Sequence, residues 1–345
     1  MNANVVLPLA SALLSLVFAI MLVDQWRERR RPYQLIWAAG MLWYGLSAGA
    51  EFLGSAIGWS DPLYRAWYLF GAICVAAWLG LGTASLLSKT RFGYAFAISL
   101  LLAGLFTYLT QSRYKYEDSG IAPALYFGIA LVLAIATAVL TYRGDERWSR
   151  LAGVAVVGGS IAAAVMVGTV GLPSPGYALN AANGIPVGDL LPGYLRLLTP
   201  FFNVTGGLAL VFGGIYSAYV FMPKRRVIRY SIQRGQPAGA FVRNLVVAPV
   251  AIAVNLIASL PGAASDLVGG RLNSRVPATI LIALGGFIPS ITSGLNRFGD
   301  TSAFFVGELL GVAFLFAGFL VSIEVFNEIR IPFTHRVLRA RRVQA

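Results

Sequence analysis

The chain has 345 residues, of which 57% are hydrophobic and only 12% charged, with a mean hydropathy of +0.72. Soluble domains usually carry about 25% charged residues, so this much apolar surface calls for lipid and excludes an ordinary soluble domain. The net charge of +13 would suit a nucleic-acid partner, but the basic residues fall in the loops between apolar segments, where they set membrane topology.

A segment of about 20 apolar residues crosses a roughly 30 Å hydrocarbon core. The sequence offers such segments near 4–23, 35–58, 64–87, 94–111, 123–142, 151–171 and 197–221. The first runs into Arg27-Glu28-Arg29-Arg30-Arg31 with no small-residue cleavage site, as an uncleaved first helix would. Alternate loops are basic: Arg27 to Arg31, then Lys89 and Arg91, then Arg143, Arg147 and Arg150, then Lys224, Arg225, Arg226 and Arg229. Those loops are expected in the cytoplasm and the N-terminus outside. Two more spans follow, about 277–295 and 303–325, joined by Asn296 to Asp300 and ending in a basic tail with Arg330, His335, Arg336, Arg339, Arg341 and Arg342.

The apolar stretch Leu245 to Leu260 contains Pro249 and Asn255 and is closed by Pro261-Gly262. Counting it as a span would give ten crossings and strand the basic tail outside, so 242–275 reads as an interfacial or re-entrant cytoplasmic insertion. The rival reading is a tenth span. The fold expectation is therefore an all-α bundle of about nine transmembrane helices: a seven-span unit 1–235, an insertion 236–275, a two-span hairpin 276–326 and a basic tail 327–345. Trp26, Tyr33, Trp59, Tyr64, Tyr108, Tyr142, Trp148, Tyr194 and Tyr219 stand where an interfacial aromatic belt would lie. Gly54 with Gly58, and Gly307 with Gly311, have the spacing of close helix contacts.

The chemical inventory excludes several classes. His335 is the only histidine and lies in the tail, which leaves nothing for an intramembrane zinc or b-haem site. The three lysines, Lys89, Lys115 and Lys224, lie in loops or at span ends, which excludes a retinal Schiff base. The single cysteine, Cys74, permits no intrachain disulfide, and no phosphate-cradling Gly-x-x-x-x-Gly-Lys-Ser/Thr run exists. Neither a cofactor nor an enzymatic activity is expected, although a lipid-modifying reaction using carboxylates alone stays open.

Glu51 and Glu308 are the two ionisable residues well inside spans, where a charge costs at least about 2.5 kcal/mol. Their positions along oppositely directed helices put both in the outer half at matching depth. Asn203 falls in the same layer, with Arg65, Arg196 and Arg297 at nearby span ends and Trp43, Tyr44, Trp67 and Tyr68 close by. One reading is an outward-facing ligand pocket. The other makes Glu51–Arg65 and Glu308–Arg297 structural ties. Glu324 and Glu328 are expected to partner the tail arginines, and the tail to contact anionic lipid headgroups.

Two stretches carry a resemblance. Trp43-Tyr44-Gly45 through Glu51 to Tyr64-Arg65-Ala66-Trp67-Tyr68 and Ala77-Trp78-Leu79-Gly80-Leu81-Gly82-Thr83, then Gly286-Phe287-Ile288-Pro289-Ser290 to Arg297-Phe298-Gly299 with Gly307-Glu308-Leu309-Leu310-Gly311, resemble an uncharacterised family of bacterial multi-span membrane proteins. The first 220 or so residues are also similar to the seven-helix N-terminal sensing region of bacterial histidine kinases, but no kinase domain follows. The resemblance implies a bacterial inner-membrane location. The functional expectations are noncatalytic binding of a small molecule or lipid, as a sensor, transporter component or assembly partner; a proton-coupled secondary transporter; or a structural subunit of a membrane complex. Lipids, a small-molecule ligand and another membrane protein are the expected partners, and nucleic acid is not.

Overall fold

The structure is a computed structural model that describes residues 3–231, 236–297, 303–322, 329–330, 332–334 and 337–339. The helices are α1 (Ala3–Arg29), α2 (Pro32–Ile57), α3 (Asp61–Trp67), α4 (Val75–Leu86), α5 (Gly93–Tyr114), α6 (Ala122–Arg143), α7 (Arg147–Thr169), α8 (Gly193–Phe221), α9 (Ala238–Val268), α10 (Arg275–Arg297) and α11 (Phe304–Val321). Helices α3 and α4 are one rod joined by a π-helical segment, Tyr68–Cys74. Pro32, Pro62 and Pro123 open α2, α3 and α6 in the first turn, where the missing N–H is harmless. Lys115 and Gly144 close α5 and α6 in the left-handed conformation.

Among the described residues, nine helices are long and apolar enough to cross a membrane, and the protein is an all-α, multi-pass helical bundle. That set includes α9 and leaves out α2, whose apolar run is broken by Gln34, Glu51 and several glycines. Packing ranks the same two helices the other way. Helix α2 lies deep in the bundle against α1, α3 and α4, with Trp37, Met41 and Ala48 almost fully buried.

Helix α9 instead touches one face of the bundle along its length. Near its start Phe241 meets Tyr94 and Tyr142, at 6.2 and 5.2 Å between ring centroids. In its middle Asn255 accepts the backbone N–H groups of Val227 and Ile228 (2.7 and 2.9 Å) and donates to the Ile228 carbonyl (2.8 Å). Further on, Ser259 accepts from the Arg225 N–H (2.9 Å), and Ala263 packs on Ala218, Tyr219, Met222 and Val276. These partners are the start of α5, the end of α6, the end of α8 with the connection that follows it, and the start of α10, all on the side of the basic loops. From Phe241 to Ala263 α9 covers about 33 Å at 1.5 Å per residue, yet both ends rest on that face. By these contacts α9 rests across the ends of the bundle that carry the basic loops, whereas α1, α2, α3–α4, α5, α6, α7, α8, α10 and α11 pack side by side.

The chain beyond α11 returns to the same face. The Phe333 N–H donates to the Asp24 carboxylate near the end of α1 (3.0 Å), and Arg27 sits 5.3 Å from the Phe333 ring centroid. A short antiparallel pairing joins Ile329–Arg330 to Val337–Arg339. Phe298 to Asp300, Glu324, Glu328, His335, Arg336, Arg341 and Arg342 lie outside the described residues, as do the side chains of Asn296, Arg297, Arg330 and Arg339.

Helix pairs α1–α2, α2–α4, α4–α8, α8–α10, α10–α11 and α11–α1 close a six-helix ring, with α5, α6 and α7 packed outside it. Glycine permits the tightest contacts. Gly80 and Gly206 bring α4 and α8 together so closely that a Cβ on either would strike the other helix's backbone. Gly307 and Gly311 meet Thr292 and Pro289 of α10 and form a true helix seam. Gly54 and Gly58 do not: Gly54 makes room for the Trp59 ring, and Gly58 ends α2 at a φ of +105°. The aromatic belt is also only partial, because Tyr64 and Trp148 are core residues.

Candidate functional site

The ring interior divides into two halves. On the side of the basic loops it is filled by Phe18, Leu22, Trp37, Met41, Leu79, Leu210, Ile282, Leu315 and Phe319, one apolar cluster drawn from all six helices. Toward the opposite face the lining turns polar. Glu51 projects from the buried stripe of α2 and is fully buried. Glu308 lies in line with Val312, Leu315 and Phe319, the buried stripe of α11, and is itself partly buried.

The two carboxyl groups meet between α2 and α11 closely enough to interact directly, and the Trp67 indole lies beside Glu51. The Tyr44 hydroxyl donates to the Glu308 backbone carbonyl (2.8 Å), tying α2 to α11 one layer toward the plug. Among the described residues neither carboxyl forms an ion pair with a basic side chain. Both Glu51 carboxyl oxygens and Glu308 Oε2 are buried without a hydrogen-bond donor in good geometry. Unpaired buried carboxyls are costly in a low-dielectric interior, and structural packing alone gives no reason to keep two together.

The expected arginine ties are not formed. Arg65 pairs with Asp61, one turn earlier on its own helix, at 2.8 and 2.9 Å, and also donates to the Val167 carbonyl. A local partner at i−4 takes the guanidinium before the longer reach to Glu51 can. Arg196 binds Asp189 (2.8 Å) and covers the Tyr116 ring at 4.2 Å, away from the carboxyl pair. The Arg297 side chain lies outside the described residues. Asn203 shares the face of α8 that carries the buried Gly207 and Leu210, so it stands on the ring side, one helical turn from Gly207, which Ser290 of α10 meets.

The aromatic residues separate into two groups. Tyr44 and Trp67 border the carboxyls. Trp43 instead stacks on Phe70 of the π-helical segment, 5.1 Å between centroids and 3° from parallel. Tyr68 accepts a hydrogen bond from Thr199 (2.7 Å) and donates to the Leu195 carbonyl (3.2 Å), fastening the third crossing to α8.

Sequence reasoning gave no sign of the strap above the site. The connection from Val170 to Pro192 forms a small hairpin, with Leu179 bridged to Pro186 and the Val187 N–H bonded to the Ala178 carbonyl (3.0 Å). It runs over the non-basic end of the ring. Gly176 packs on Asp61 of α3, and Tyr64 donates to the Val187 carbonyl. Ile185 is buried on Phe304, Phe305 and Leu7, and Asn4 donates to the Asn183 carbonyl (2.7 Å). Glu308 lies about one helical turn below Phe304, beneath this strap. The asparagine, glycine and proline content of 173–194 marks a long loop, but not where the loop lies.

No cluster of three or more metal-ligating side chains occurs among the described residues. The site thus consists of two carboxyl groups in direct contact, with the Trp67 indole and the Tyr44 phenol beside them. No family model, curated protein or solved structure matches the chain.

Proposed function

We propose that this multi-pass membrane protein binds a small cationic molecule, without catalysing a reaction, in the polar half of the ring, reached from the face opposite the basic loops. The observation that carries the reading is the carboxyl pair of Glu51 and Glu308, which no basic side chain neutralises among the described residues. Two unit charges about 4 Å apart repel by about 4 kcal/mol even at an effective dielectric of roughly 20. The pair is stable only with a shared proton or a bound cation between its members. A protonated amine exchanging with that proton satisfies both carboxyls, with the Trp67 indole and the Tyr44 hydroxyl at the border of the pair. The apolar plug from Trp37 to Phe319 closes the other end, which suits one-sided binding, as in a sensor or the binding component of a larger assembly.

A proton-coupled transporter is the second reading, favoured by the π-helical break at Tyr68–Cys74 next to the site, since such breaks are frequent at functional positions. It requires the plug to open.

The test is thermal melting of the purified protein in lipid nanodiscs with methylammonium, tetramethylammonium, guanidinium and longer primary amines. At least one is expected to raise the melting temperature of the wild type and not of Glu51→Gln or Glu308→Gln. Equal responses of all three proteins to every cation would contradict the proposal. Uptake of the stabilising cation into proteoliposomes against a pH gradient would favour transport over binding alone.

A further inference from the structure

A second cavity lies far from the carboxyl pair, on the basic face, where the α4–α5 and α6–α7 loops meet the start of α9. Its volume of about 240 Å³ far exceeds the roughly 30 Å³ share of one water, so it has room for a group of several heavy atoms. Its charges are paired by sign. Two basic side chains, Lys89 and Arg91, and two acidic ones, Asp145 and Glu146, line it.

The ion pairs already present are loose and face solvent: Asp145 Oδ2 lies 3.7 Å from Arg147 Nε, and its Oδ1 accepts the Arg147 N–H (2.9 Å). Lys89 Nζ and Glu146 Oε1 are 4.0 Å apart with both side chains largely exposed, a loose contact worth little in water. Arg91 is exposed and has no ion pair among the described residues. Tyr94, Tyr142 and Phe241 supply aromatic lining, with Phe241 edge-on to both tyrosines, a setting that attracts an ammonium group. A simple anion in this cavity would face two carboxylates, and a simple cation would face two bases. A zwitterion, with phosphate and ammonium joined by a short linker, is complementary to both.

The position indicates the source. The cavity sits at the ends of α5 and α6, at headgroup depth for a bundle that crosses the bilayer. Its Tyr142 edge continues into Val139, a turn away, and both are 44% exposed on the outer flank of α6, so acyl chains can run down that flank. We propose that this cavity holds the headgroup of an amine-bearing zwitterionic phospholipid of the phosphoethanolamine type, with Lys89 and Arg91 on the phosphate and Glu146 and Asp145 on the ammonium. Bound there, the lipid links the two loops to the start of α9.

The experiment is mass spectrometry of lipids retained by the full chain drawn from bilayers of equal phosphatidylethanolamine, phosphatidylcholine and phosphatidylglycerol. Phosphatidylethanolamine is expected to be enriched. Arg91→Ala and Glu146→Gln, both at exposed positions where the change creates no packing defect, are each expected to cut the enrichment about tenfold, the loss of one charge-assisted contact, and Arg91→Lys to restore part of it. Retained lipid that follows the bulk composition, or enrichment of phosphatidylglycerol, overturns the proposal. So does enrichment that both variants keep. Soluble glycerophosphoethanolamine serves as competitor: binding of it without lipid enrichment would assign the site to a free phosphoester and overturn the lipid source.

Discussion

Helices α2 and α9 are both longer than a bilayer requires, with 26 and 31 residues, and they exchange roles relative to their composition. Helix α9 is apolar enough to cross but lies on the basic face, held by Asn255, Ser259 and Phe241 at points spread along its length. Its opposite face exposes Val242, Val246, Val250, Ile257 and Leu260, suited to the acyl boundary of an interfacial helix. Helix α2 packs within the ring while carrying a fully buried glutamate. Hydropathy reports the environment that a helix tolerates on average. Ring position decides whether a polar residue meets lipid or an interior, and the anchors at the two ends of a helix decide whether it crosses.

The largest effect expected from this comparison is all-or-none. In a Cys74→Ala background, single cysteines at Gly239, in the first turn of α9, and Arg271, just beyond its end, should react with an impermeant maleimide from the same side of the membrane. Arg31→Cys and Ile57→Cys, at the two ends of α2, should react from opposite sides. Opposite-side labelling of Gly239→Cys and Arg271→Cys would make α9 a tenth crossing and break the comparison.

A smaller, graded effect sharpens it. Val132 on α6 and Ile257 on α9 are 66% and 64% exposed, so neither change to arginine creates a packing clash. At the centre of a span the charge costs about 2.5–3.5 kcal/mol, whereas near an interface a basic residue costs only about 0–1 kcal/mol. Unfolding of Val132→Arg in mixed micelles should therefore show the larger loss of stability, and equal losses would place Ile257 in the hydrocarbon.

The helices of the bundle were legible in the sequence because basic loops alternate with apolar runs. The placing of 242–275 rested on one charge argument, the need to return the tail to the basic side, and the Phe333–Asp24 contact puts the chain beyond α11 there. Inward-facing Glu51 and Glu308 followed from the cost of exposing a carboxylate to lipid. Their partners did not follow. Depth along a helix fixes a layer, whereas pairing depends on rotation and on local competitors, and Asp61 captures Arg65 while Asp189 captures Arg196. The π-helical segment and the strap over the ring left no periodic trace, since one extra residue per turn is invisible to hydropathy and a loop's path is set by tertiary contacts such as Ile185 on Phe304.

The central claim is that Glu51 and Glu308 together hold a proton that a cation can replace, and infrared difference spectroscopy of the reconstituted protein reads it directly. Addition of the stabilising amine at neutral pH should remove a protonated-carboxyl carbonyl band in the wild type. That band should be missing from the Glu51→Gln/Glu308→Gln double variant and altered in each single variant. A wild-type difference spectrum with no protonated-carboxyl band, or one unchanged in the double variant, would contradict the account.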